Sequence, residues 1–330
     1  MAIVRTVTGD VESGQLGPTT MHEHIFGDFT VWQEDPKQTA SLAGVAVDPS
    51  ARVEMGILGV IHRNPVVIRD NLRIGDDEDL ALAEVRKFAD AGGDCLVEVT
   101  CCGDVAADGV TNMGRNAPGL RRIAEQTGLK IVAGTGFYLE GTHPDYVRTD
   151  SVEELAARMV RDISEGIGGT GVRAGIIGEI GTSTVTEREQ KVLRACTRAH
   201  QATGAAISLH THVGCPTGEQ SVRLLLEDGV AANRIIVGHM DENLVSFEPG
   251  LANLDYQSLD LSFDGRGNRR DPFGQCLIAS QALHGFRNRS QFRGLCAHRN
   301  GLRLAGRILR FGSLARAGFT AASECCCQQQ

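Results

Sequence analysis

Short apolar runs rich in β-branched residues alternate along this chain with longer stretches in which apolar residues recur every three or four positions. The short runs predict strands over 19–25, 95–101, 130–137, 174–180, 205–213 and 234–240. The longer stretches predict helices between them. Leu82, Val85 and Ala89 share one helical face, and Gly92-Gly93 stops that helix. Leu120, Ile123 and Ala124 follow Pro118 and run to Gly128. Ser151 and Glu154 read as a capping box ahead of Leu155, Met159 and Ile163. Thr186 and Glu189 repeat that signal ahead of Val192, Cys196 and Ala199, with Gly204 as the stop. Thr217 opens a further helix through Leu226, closed by Gly229.

Strand-then-helix repetition implies a parallel sheet covered by helices. An open doubly wound sheet and an eight-unit barrel both satisfy it. No Gly-rich dinucleotide fingerprint follows the first strand, and histidines and a glutamate recur at the ends of several strands. A barrel gathers strand ends on one face, where an open sheet would spread them. The pattern therefore favours the barrel.

Composition narrows the setting. A chain of 330 residues can bury a large core. No apolar run approaches the ~20 residues of a membrane helix, and residues 1–10 lack an apolar signal core. A cytoplasmic protein without membrane partners is the expectation. A net charge of -8 argues against a nucleic-acid partner. Ten cysteines include no Cys-x-x-Cys pair, which predicts buried small apolar side chains instead of a zinc ribbon.

The chemistry sits at the strand ends. His22 and His24 flank Glu23, and side chains two apart on a strand point the same way, so both imidazoles can grip one divalent ion. A pair of packed or surface histidines is the plain alternative. Glu179 lies inside an apolar strand, where a carboxylate must be ion-paired or metal-bound. His210 and His212 share a face of the next strand, and His239 closes the one after. Four strands each ending in a metal-capable residue point to one shared site. His62, His143, His200, His284 and His298 fit no such pattern and read as ordinary.

Several separated motifs carry a family resemblance over roughly residues 1–264. They are Thr20-Met21-His22-Glu23-His24, the 116–128 segment from Asn116 through Leu120 and Arg122 to Gly128, and Gly134-Thr135-Gly136-Phe137-Tyr138. Gly178-Glu179-Ile180-Gly181-Thr182-Ser183, His210-Thr211 and Val237-Gly238-His239 complete the series. In this order they resemble the phosphotriesterase-related (phosphotriesterase homology protein-like) family of the amidohydrolase superfamily. The resemblance implies an α/β fold, a (β/α)8 TIM barrel, holding two divalent metal ions, usually Zn2+. It casts His22 and His24 as ligands of the more buried ion and His210 and His239 as ligands of the more exposed one. Glu179 becomes the bridging ligand, where better-known members carry a carboxylated lysine. His212 falls just past the family ligand. Tyr138 matches a tyrosine that lines the substrate site in lactonase-like members. The implied activity is hydrolysis of a small-molecule ester, lactone or phosphotriester by a hydroxide shared between the ions. A homodimer is left open. The alternative is a non-catalytic small-molecule-binding barrel.

One family element is missing. The aspartate that closes the eighth strand and shuttles the proton has no counterpart, since Asp264 matches the seventh strand and only Asp271 and Glu324 follow it. Composition breaks at the same place: residues 266–330 hold 11 arginines, no lysine and 2 acidic residues. Two segments are therefore expected, an incomplete hydrolase barrel over 1–265 and a divergent basic segment over 266–330. A shifted reading frame or a sequencing error would scramble composition in this way, and a divergent native segment is the alternative. Either predicts impaired activity for this polypeptide.

Overall fold

A computed structural model describes residues 2–75, 77–101, 113–211 and 217–239. The expectations for residues 240–330, Asp264 included, and for His212 lie outside the described residues. The chain divides into two compact units.

The first unit holds residues 2–25 and, among the described residues, everything from 78 onward. It opens with an antiparallel hairpin, β1 (Ile3–Thr6) and β2 (Gly9–Glu12). Six parallel strands then follow: β3 (Thr19–Glu23), β6 (Cys95–Glu98), β7 (Lys130–Thr135), β8 (Ala174–Thr182), β9 (Ile207–Thr211) and β10 (Ile235–Val237). The intervening labels β4 and β5 belong to the second unit. Each of the six pairs with its sequence neighbour, in the order β10-β9-β8-β7-β6-β3. All six predicted strands are present, five of them two to four residues shorter than the apolar run among the described residues; β8 instead extends two residues past it, to Thr182.

Flat, the two edge strands of such a sheet would stand roughly 24 Å apart at the usual strand spacing. Instead Met21 on β3 and Ile236 on β10 pack against one buried cluster of Cys95, Val97, Val99, Val132 and Ile176. The rings of His22 and His239 lie 4.9 Å apart, centroid to centroid. The sheet is therefore curled about its own apolar interior, as the first six units of a (β/α)8 barrel require.

Helices cover the outside. They are α2 (Glu78–Asp90), α3 (Ala117–Thr127), α4 (Tyr146–Thr149), α5 (Val152–Ser164), α6 (Glu187–Thr203) and α7 (Thr217–Glu227), with α1 in the second unit. Their ends follow the sequence signals. Ser151 caps α5 through the Glu154 amide, and Thr186 caps α6 through the Glu189 amide, each with the reciprocal bond of a capping box. Gly128 and Gly204 close α3 and α6 in the left-handed conformation that favours glycine. The buried face of α5 (Leu155, Ala156, Met159, Ile163) meets α6, where Cys196 Sγ lies 3.9 Å from Met159 Sδ. Cys95, Cys101 and Cys196 are buried free thiols, as expected.

The second unit, Phe26–Asp77 among the described residues, is small. It pairs β4 (Gly27–Asp28) with β5 (Arg73–Ile74) and contains α1 (Leu58–Arg63). Leu42, Ile61, Val67 and Ile68 form its core. No helix among the described residues is long and apolar enough to cross a membrane.

Candidate metal centre

Every described strand end named by the sequence delivers its side chain to one point. Glu179 lies within β8, 2% exposed, and among the described residues no lysine or arginine pairs with it. Four imidazoles surround it instead. Its Oε2 is 3.0 Å from His22 Nε2, 3.2 Å from His210 Nδ1 and 3.6 Å from His239 Nε2. Its Oε1 is 3.3 Å from His24 Nε2. Strand alternation explains the first pair: His22 and the residue after Glu23 face the same side.

Irregular backbone does the aiming. The β3–β6 register slips between Thr20 and Glu23, across His22, and the β8–β9 register slips between Ile177 and Ile180, across Glu179. Such bulges re-aim single side chains and gather at functional sites. His239 follows β10 with a left-handed backbone, φ 59°, a conformation uncommon outside glycine. It turns the ring back toward the interior, 4.5 Å from the His210 ring. Close strand packing also needs glycine: a Cβ on Gly134 would collide with the Gly178 carbonyl oxygen.

The donor atoms fit a divalent cation. His22 Nε2 is buried and makes no aligned hydrogen bond among the described residues, although a carboxylate oxygen is 3.0 Å away. His210 Nδ1 and His239 Nε2 face each other at 2.9 Å. Ligand atoms of His22, Glu179 and His239 lie within 4.8 Å of one another, enough for one ion. That triad cuts across the division of ligands implied by the family resemblance. Imidazole nitrogens with a carboxylate are a donor set that suits zinc and its neighbours.

Electrostatics favour the ligating protonation states. Burial would raise the Glu179 carboxyl, but His22 and His210 outweigh it and hold the group well below the ordinary carboxylate range. Burial lowers His24 and His210, with Glu179 opposing in both cases. Neutral imidazole is the form that binds metal.

A second layer lies behind the first. His24 Nδ1 is 2.8 Å from Thr100 Oγ1, and Thr100 donates to Glu98 Oε1 at 2.5 Å. The Ile25 amide also donates to Glu98 Oε1, at 3.3 Å. The Glu179 amide donates to the Val99 carbonyl at 2.8 Å. Tyr138 is buried with its hydroxyl 3.2 Å from His210 Nε2.

The remaining histidines are ordinary where they are described. His143 Nε2 is 2.8 Å from the Tyr138 carbonyl, and His200 Nδ1 is 2.7 Å from the Ala205 carbonyl. His62 is exposed on α1. Sequence reasoning missed Glu98 and Thr100. The signal was available, because Glu98 is another acidic residue inside an apolar run.

Known proteins resemble this chain. A sequence model described as the phosphotriesterase family matches residues 2–254. The N-acetyltaurine hydrolase of Danio rerio is 32% identical over 242 residues, covering 73% of this chain and 65% of that protein. The chain thus spans slightly less than two thirds of that relative's length. Among solved structures, a resiniferatoxin-binding protein from Rhodobacter sphaeroides aligns with a TM-score of 0.66 at 32% identity, over 78% of this chain and 67% of that one. The phosphotriesterase homology protein from Escherichia coli, complexed with phosphate in its active site, aligns at 0.53 and 30% identity, over 84% and 79%.

Proposed function

The chain belongs to the phosphotriesterase family, and from that premise we propose that it is a metal-dependent hydrolase of a small molecule. The observation that carries the proposal is the meeting of Glu179 with His22, His24, His210 and His239, five residues from four strands. A buried carboxylate faced by four imidazoles is stable chemistry for holding cations and poor chemistry for a structural core.

We assign these five residues as ligands of two divalent ions, with zinc the best match to the donors. When bound, such ions supply Lewis acidity and an activated water. The protein's own part is to fix geometry. Glu179 offers both carboxylate oxygens, each already directed at different imidazoles. Tyr138, against His210, forms one wall for substrate. The proton-accepting aspartate expected of the family has no counterpart in the sequence.

The substrate would carry an electrophilic carbonyl or phosphoryl group: an ester, a lactone or a phosphotriester. The name of the Danio rerio relative adds an N-acyl amide to that range. The test is metal analysis of the purified full chain beside a hydrolysis panel of aryl esters, lactones, phosphotriesters and N-acetyltaurine. Bound metal is expected, with slow, chelator-sensitive turnover because the eighth-strand aspartate is missing. A chain that takes up no divalent metal and turns over nothing would overturn the reading.

A non-catalytic binding barrel is the second reading, favoured by the structural neighbour named for binding resiniferatoxin. Tight small-molecule binding by metal-free protein, with no turnover after metal is added, would decide for it.

A further inference from the structure

The Glu98–Thr100–His24 chain does more than fill space. We infer that Glu98 and Thr100 are positioning residues that lock His24 into the tautomer whose Nε2 lone pair faces Glu179. The inference rests on the reading of His24 as a metal ligand.

A threonine hydroxyl has one hydrogen to give. Thr100 gives it to Glu98 Oε1 across 2.5 Å. Toward His24 Nδ1, 2.8 Å away, Thr100 Oγ1 can then only accept. Nδ1 must carry the hydrogen, and in neutral imidazole that leaves Nε2 bare. Nε2 is the atom 3.3 Å from Glu179 Oε1, where a cation would sit.

The choice is contested. Glu179 alone would favour the opposite tautomer, accepting a hydrogen from Nε2. The contact at Thr100 is shorter by half an ångström and is backed by a second carboxylate. Glu98 and Thr100 are 0% and 2% exposed, so water does not compete for either group. Glu98 also accepts from the Ile25 amide, which fastens the backbone that follows His24. One carboxylate thus sets both the placement of the ring and the position of its hydrogen. Partners behind a ligating histidine typically change metal affinity by about 10- to 100-fold when removed.

The primary experiment is 15N NMR of histidine-labelled, metal-free full-length protein at mildly alkaline pH. His24 should show a protonated Nδ1 and a bare Nε2. Thr100→Ser keeps the hydroxyl and should keep that signature and the zinc Kd. Thr100→Val should lose the signature and raise the zinc Kd by about 10- to 100-fold. Glu98→Leu removes the acceptor of the Thr100 hydroxyl, which frees its hydrogen to turn toward His24 Nδ1 and should shift the ring to the Nε2-protonated form. A wild-type His24 protonated at Nε2 would overturn the inference, as would Thr100→Val retaining wild-type tautomer and zinc affinity. If the wild-type protein shows the expected tautomer but binds no zinc, the metal reading fails and the positioning stands. The wild-type spectrum decides even where a variant does not fold.

Discussion

Cys101 donates its thiol hydrogen to the main-chain carbonyl of Glu179 across 2.8 Å. The bond ties the segment after β6 to the middle of β8, and both partners are buried. Cys101→Val conserves size and removes the donor, leaving a buried carbonyl with one fewer partner. We expect a stability loss of about 1 kcal/mol, measured by denaturant unfolding. Metal retention should fall as well, because the carbonyl belongs to the residue proposed to bridge the centre. An unchanged midpoint and unchanged metal content would show that the bond contributes nothing.

Glu179→Gln keeps the shape of the side chain and deletes its charge. The imidazoles would then face a neutral amide that offers one acceptor instead of a carboxylate's two oxygens. Metal content by elemental analysis should drop below half of the wild-type value, with hydrolysis falling in parallel. Full metal loading in the variant would remove Glu179 from the ligand set.

Gly134→Ala probes close packing between β7 and β8. The added methyl would meet the Gly178 carbonyl oxygen, a main-chain atom that cannot rotate away. Overpacking of this kind costs about 1–3 kcal/mol. Because Gly178 precedes Glu179, the strain should also appear as weakened metal affinity. A variant with native unfolding temperature and native affinity would contradict the packing described here.

Asp94 carries a pH prediction. The Gly17 amide and Lys130 Nζ hold its carboxylate at 2.6 and 2.5 Å and lower its pKa below the ordinary value. A group depressed in the folded state contributes stability that is present above its unfolded pKa, about 3.9. That contribution is lost as pH falls through the lower, folded value. Asp94→Asn should therefore be less stable than wild type near neutral pH, and the gap should close in acid. A gap that stays constant from neutral pH to about pH 3 would rule out the titration of Asp94 as its source.

Ser151→Ala tests a feature read directly from the sequence. The change removes the acceptor for the Glu154 amide at the start of α5. Loss of a serine cap costs about 0.5–2 kcal/mol, which thermal unfolding resolves.

The sequence made the strands, the helix caps and the converging histidines legible because each rests on local rules. Period-two and period-3.6 patterns locate elements, and strand alternation alone aims His22 and His24 together. Three things were not local. The register slips across His22 and Glu179 arise from pairing with neighbouring strands, which no single run of residues encodes. The left-handed backbone at His239 has no marker such as glycine. The reach from Thr100 to His24 spans 76 positions and becomes visible only when β3 and β6 lie side by side. Glu98 is the instructive omission, since the argument that singled out Glu179, a carboxylate inside an apolar strand, applied to it equally. Phe26–Asp77 gave no periodic signal, in keeping with a unit built largely of short turns around four apolar side chains.

His22 and His239 come from the two edges of the curled sheet, so the proposed ligand set spans nearly the full described length of the chain. A molecule in which either edge strand is missing or unfolded cannot present it. If these residues bind cations as proposed, loading would gauge how many molecules in a preparation have joined the two edges. By mass action, raising free metal a hundredfold above its dissociation constant would favour that population by about 2.7 kcal/mol.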